Sequence, residues 1–260
     1  ACIFALKGKG MKGVVLAAVT YGVLCIGALS TGASLFHFMV VGVVILLVAM
    51  IKNWFAVNKA VGVLLSLIPA AGLSVIFIVD DRIRHRLLIA LNPGADPLSR
   101  GFVGSMTRSM VQGAAFMGQG AAQMGSITIV DPLLYLPNAA GESLLTSVLL
   151  RFGWLPTIAI VAALLAFIVY GYTRCFKQKS GLGFFVSFAI MSTFALQTIT
   201  YVAFNLGFTL TQIALPFISP GNAVMVVNLG LLGFMLSVFR TGSAVVVHEN
   251  KDVAARHCEP

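Results

Sequence analysis

Charge is scarce in this chain. Of its 260 residues only 10% are Asp, Glu, Lys or Arg, and 59% are hydrophobic. Soluble domains carry roughly 25% charged and 45–50% apolar residues. A soluble globular domain, a disordered chain and a nucleic-acid-binding domain are therefore excluded. Acids are scarcer than bases, 8 against 17, for a net charge of +9. In so apolar a chain a basic excess marks cytoplasmic loops rather than a nucleic-acid partner. Cysteine is sparse as well. Cys2, Cys25, Cys175 and Cys258 stand apart, with no CxxC pair and no Cys/His cluster, which argues against a zinc site or a disulfide framework. An initiator Met is also lacking, since the chain begins at Ala1.

What is present is long apolar sequence. A hydrocarbon core of about 30 Å takes roughly 20 apolar residues per helix. Six segments qualify: 13–30, 33–51, 60–79, 153–173, 182–206 and 222–239. The expected fold class is all-α, a polytopic membrane protein of six transmembrane helices. Residues 1–240 form the membrane domain, 80–152 its long outer segment, and 241–260 a polar cytoplasmic tail. The basic residues orient it. With Lys7, Lys9 and Lys12 inside, Lys52, Lys59, Arg174, Lys177, Lys179, Arg240, Lys251 and Arg256 fall on the same side. The C-terminus is then cytoplasmic. Segment 102–125 is the test of this arrangement. It is long enough to span, but it holds Arg108, Gln112, Gln119, Gln123 and five glycines. An arginine at a helix centre costs about 2.5–3.5 kcal/mol on insertion scales. It reads as an interfacial or re-entrant helix.

No acid lies within a predicted span. Asp80, Asp81, Asp96, Asp131 and Glu142 gather in the outer segment, and Glu249, Asp252 and Glu259 in the tail. Ion-coupled pumps place ionisable groups inside the membrane. Here only His37 does so, and it reads as a hydrogen-bonded core residue. Any chemistry therefore moves to the outer face. There the stretch DDRIRHRLLIAL (80–91) sets Arg82, Arg84 and Arg86 beside an apolar stripe. Two readings stand: interfacial anchoring by snorkelling arginines, or contact with phosphate through guanidinium forks. NPGADP (92–97) is a turn cluster. Glu142 follows Ala139, Ala140 and Gly141 and precedes an apolar run. It is either a helix-start charge favoured by the macrodipole or, near the bilayer surface, a general base.

Four stretches, in order, resemble the SEDS family (shape, elongation, division and sporulation; the RodA/FtsW type). RIRHRLLIALNPGADPLSRGF (82–102) is similar to the family's arginine-rich helix and the turn that follows it, with Pro93, Asp96, Pro97, Gly101 and Phe102 in register. MVQGAAFMGQG (110–120) matches a small-residue stretch, and LPNAAGESLL (136–145) resembles the segment with the family's key aspartate. In TQIALPFISPGN (211–222), Thr211, Leu215, Pro216, Phe217, Ile218, Ser219 and Gly221 match. Gln197 sits near a family glutamine. The likeness covers about 10–240 and corresponds to the last six of ten family spans, which leads one to expect that four precede this sequence.

The resemblance implies a peptidoglycan glycosyltransferase of the bacterial cytoplasmic membrane. Such a protein polymerises undecaprenyl-linked precursor, lipid II, on the outer face, beside a class B penicillin-binding protein. It implies no certain cofactor, and leaves a divalent cation open. A carboxylate would deprotonate the acceptor sugar's hydroxyl, which attacks the donor's anomeric carbon as lipid pyrophosphate leaves. That carboxylate falls on Glu142, one methylene longer than the family's aspartate. Arg82, Arg84, Arg86, Ser219 and Gly221 are the implied substrate contacts. The departures are specific. The family's histidine and threonine beside the aspartate are Ala140 and Gly141. Its paired glutamates downstream fall on Leu150 and Arg151, and an acidic position at a span's outer end falls on Ser30. An alternative role follows from them: a non-catalytic homologue that binds lipid precursor or serves as a scaffold.

Overall fold

The computed structural model describes residues 10–28, 33–55, 58, 71, 81–96, 101–124, 127–129, 131, 136, 141–209 and 225–241. In chain order these form α1 (Gly10–Ala28), α2 (Ala33–Ile51), α3 (Asp81–Leu91), α4 (Phe102–Gly113), β1 (Ala122–Met124), β2 (Ile127–Ile129), α5 (Leu144–Phe152), α6 (Trp154–Phe176) and α7 (Gly181–Asn205). A further apolar helix, α8, covers Met225–Thr241. Among the described residues the fold is all-α apart from one short antiparallel ribbon, β1 with β2, in which Gln123 faces Thr128. The third predicted span, 60–79, apart from residue 71, and nearly all of the predicted tail lie outside the described residues.

Helices occupy the other apolar segments. α6 and α7 are long and apolar enough to cross a membrane, with 23 and 25 residues. At 1.5 Å per residue each exceeds the ~30 Å hydrocarbon core. Gly10–Cys25, His37–Ile51 and Met225–Thr241 are shorter apolar helical stretches. α6 exposes Leu155, Ile158, Leu165 and Val169 along its length, a face suited to lipid. α7 buries more of itself. Its start is capped by Ser180, whose carbonyl accepts from Phe184 N at 2.9 Å and whose hydroxyl accepts from Gly183 N at 3.4 Å.

The chain divides into two compact units. The first comprises residues 1–73, 168–193 and 229–260. In it α1 packs on α2: Tyr21 Oη donates to Met39 O at 2.6 Å, and a Cβ at Gly42 would strike the Tyr21 ring. An aromatic cluster of Tyr172, Phe176, Phe184 and Phe188 fills the rest. Trp54 lies against Gly181 and edge-on to Phe185, and Lys52 Nζ sits 3.4 Å above the Phe184 ring.

The second unit comprises residues 74–167 and 194–228 and holds the outer segment. Here the expected helix over 102–125 is cut short. α4 ends at Gly113 after 12 residues, about 18 Å of rise, too short to span. The chain then bends at residues 116–118 and comes back to the end of α4, where Ala121 N donates to Gly113 O at 3.2 Å, before the β-ribbon, whose β1 packs on α4. The reason is local. Gly118 takes φ +85°, and Gly113 and Gly120 lie so close to neighbouring backbone that any Cβ would collide with it. The residues between α4 and β1 spend their hydrogen bonds on helix ends. Gly120 N and Gly118 N donate to Leu150 O and Phe152 O of α5 at 2.8 and 3.1 Å. Ala115 O and Phe116 O accept from Trp154 N and Leu155 N of α6 at 3.1 and 3.2 Å. One strip thus satisfies the open carbonyls of one helix and the open amides of the next. Between those helices Gly153 turns at φ +90° directly against Ala115 and Phe116 O.

Candidate functional site

Glu142 sits in the turn Gly141–Ser143 that leads into α5, and it is half-buried. A helix start leaves four amides without helical partners, and a Ser at the N-cap normally accepts from one of them. Ser143 occupies the N-cap but makes no such bond. Its hydroxyl is buried without a partner. The amides go instead to the end of α7. Leu145 N donates to Tyr201 Oη at 3.2 Å, and Thr146 N donates to Asn205 Oδ1 at 2.9 Å.

Asn205 does more than accept. Its Nδ2 donates to Glu142 O at 2.9 Å and to Tyr201 O at 2.9 Å. Thr146 Oγ1 reaches Asn205 Oδ1 at 2.9 Å and Asn205 O at 3.0 Å. Asn205 and Tyr201 are 1% and 0% exposed, so these bonds form away from water, where leaving them unmade is costly. The carboxylate of Glu142 therefore projects from a backbone held by a different helix. Leu145 and Tyr201 also belong to one apolar cluster, packed by Ile160, Val161, Leu164 and Val202.

The arginine helix is tied to the same end of α7. Arg108 on α4 donates through Nη2 to Leu91 O, the last residue of α3, at 3.0 Å. A cation at a helix C-terminus is favoured by the macrodipole. The same guanidinium lies 5.2 Å from the Phe208 ring centroid, and its stem lies against Gly207. The intervening turn is held by Asp96 O, which accepts from Gly101 N at 2.9 Å. A Cβ at Gly101 would meet Pro93 O and Asp96 O, and one at Gly104 would meet the Pro93 ring. Pro93, Asp96 and Gly101, singled out in the sequence, thus meet between α3 and α4, and Pro97 lies outside the described residues.

The sequence-derived site residues fare differently. Glu142 is placed as described. Arg84 is exposed on α3, in the same unit as Glu142. Arg82 and Arg86 fall on α3, with side chains outside the described residues. Ser219 and Gly221 also lie outside them. Arg151, at a position where the resemblance leads one to expect an acid, pairs with Asp131 at 2.6 Å. Asn205 and Tyr201 are functional residues that the sequence reading missed, and the partners of Arg108 were missed as well. Among the described residues no three His, Cys, Asp or Glu side chains group to hold a metal ion.

No family model matches the chain. It is similar to curated proteins each described as "Probable peptidoglycan glycosyltransferase FtsW". One, from Thioalkalivibrio sp. (strain K90mix), is 31% identical over 163 residues, 60% of this chain and 38% of the relative. One from Geobacter metallireducens is 29% identical over 161 residues, covering 62% and 41%. One from Methylococcus capsulatus is 29% identical over 180 residues, covering 67% and 44%. The chain spans about two fifths of the length of these relatives.

Proposed function

We propose that this chain, a divergent member of the SEDS family, polymerises lipid II into peptidoglycan glycan strands at the outer face of the bacterial cytoplasmic membrane. The setting is a six-span membrane protein with a cytoplasmic C-terminus, working with a class B penicillin-binding protein in elongation, division or sporulation. Glu142 is the general base. It takes the proton of the acceptor's sugar hydroxyl, the freed oxygen bonds to the donor's anomeric carbon, and the bond from that carbon to the lipid pyrophosphate breaks. Arg82, Arg84 and Arg86 meet the pyrophosphate charge, and Ser219 and Gly221 line the substrate path.

The observation that carries this reading is the fixed backbone of Glu142. Positioned catalysis loses about 10²-fold for a 1 Å misplacement, and the Asn205 amide holds the Glu142 carbonyl at 2.9 Å. Polymer formed from labelled lipid II by the purified chain tests it. Glu142→Ala should lower the rate of polymer formation by about 100-fold or more, leaving a residual rate. Glu142→Asp shortens the reach by about 1.5 Å and should keep a reduced rate, roughly 1–10% of wild type. Equal yield from wild type and Glu142→Ala would sink the base assignment.

A second reading has its own support. The ion pair of Arg151 with Asp131 puts a satisfied base where the resemblance leads one to expect an acid, as befits a homologue that binds lipid precursor or a partner without turning it over. Absence of polymer from wild type with its partner present, alongside measurable lipid II binding, decides for this reading.

A further inference from the structure

We infer that Asn205, with Tyr201, is a positioning residue that sets the location of the base, an inference that rests on the reading of Glu142 given above. Ordinary N-caps are local and cheap, and here a serine already stands at the capping position. Yet the Ser143 hydroxyl is unpartnered and makes no capping bond. The capping work passes to a helix some 60 residues further along the chain. A local cap would end the helix equally well. What only a distant cap adds is a fixed place for the start of α5 relative to α7.

The chemistry of the amide matches that task. Asn offers two donors and an acceptor on one planar group. The acceptor takes the Thr146 amide. One donor holds the Glu142 carbonyl and the other the Tyr201 carbonyl. The group therefore grips α5 on both sides of its first turn and anchors that grip in its own helix. Tyr201, one turn earlier, holds the amide between them. An aspartate of the same size keeps the acceptor, loses both donors and sets a carboxylate oxygen against the Glu142 carbonyl.

The test uses the full chain and labelled lipid II. Asn205→Asp and Tyr201→Phe are compared with wild type for kcat, KM and thermal unfolding in detergent. Each variant should lower kcat by about 10-fold or more, with KM within about twofold of wild type. A merely structural residue lowers the unfolding temperature and leaves kcat of the folded fraction alone. In the Glu142→Ala background neither substitution should lower residual turnover further, because no base is left to position. Wild-type kcat in folded Asn205→Asp, beside a Glu142→Ala reduced to its residual rate, overturns the positioning role alone. So does an equal loss in the Glu142→Ala background. Wild-type polymer from Glu142→Ala, or none from the wild-type chain with its partner present, overturns the base assignment and the positioning role with it. If Asn205→Asp does not fold, Tyr201→Phe, which loses one oxygen and keeps the ring, carries the same comparison.

Discussion

Ser143 shows how a residue's role depends on what its neighbours have already taken. At an N-cap, Ser→Ala ordinarily costs ~1 kcal/mol. Here the amides of Leu145 and Thr146 are held by Tyr201 and Asn205, and the hydroxyl is buried without a partner. A buried, unpaired hydroxyl is itself a cost. Ser143→Ala should therefore leave stability within about 0.5 kcal/mol of wild type, or raise it. Thermal unfolding in detergent measures this, and a loss above ~1 kcal/mol would show the serine to be a working cap after all. The same logic explains what was hidden in the sequence. Glu142 was legible as a carboxylate at a helix start. Asn205 was not, because an Asn ending an apolar run reads as a local terminator, and its partners lie some 60 positions back. Ser143 has the residue type of an N-cap, yet the first-turn amides go to Tyr201 and Asn205.

At the scale of elements, α3 and α4 are joined by more than their turn. Arg108 was legible only as an expense, a cation in a segment long enough to span. Its partners, Leu91 O and the Phe208 ring, are 17 positions upstream and 100 downstream, and no local pattern announces either. Given those partners, Arg108 works as a bracket on the arginine helix. Arg108→Met keeps the stem and removes the guanidinium. It should cost ~1 kcal/mol globally, since the bond is partly solvated and the cation–π contact is worth about 0.5–1 kcal/mol. The local effect should be larger. Amide exchange over Ile89–Leu91 should quicken several-fold, while exchange in α7 stays near wild type. Uniform change in both would mean that the arginine stabilises the unit as a whole and does not bracket α3. Helices such as α6 and α7 were readable from apolar length alone. The end of α4 was not, because it depends on backbone contacts of Gly113 and Gly120 with residues that have no side-chain signature.

Orientation is a property of the whole molecule, and it turns on whether residues 102–125 cross the membrane. If they cross, every later segment inverts, and Arg174, Lys177 and Lys179 face outward against the charge rule. The 12 residues of α4 are too few to cross. The strip after them is spent on the ends of α5 and α6, and α5, with nine residues, is shorter still. The described residues between α3 and α6 therefore hold no helix of spanning length, in keeping with the proposed orientation, in which α6 begins on the side where α3 lies. Single cysteines test this in a background where the native cysteines are replaced. Met117 is 72% exposed in the bend after α4, and Lys179 is exposed at the turn between α6 and α7. With an impermeant maleimide on cells whose outer barrier has been opened, Met117→Cys should label while the cytoplasmic membrane is intact. Lys179→Cys should label only after that membrane is disrupted. Labelling of Lys179→Cys on intact membranes would place the basic turn outside and require a crossing by residues 102–125. It would also separate Glu142 from the outer face on which the proposed reaction takes place, so the same pair of cysteines bears on the proposed chemistry as well as on the topology.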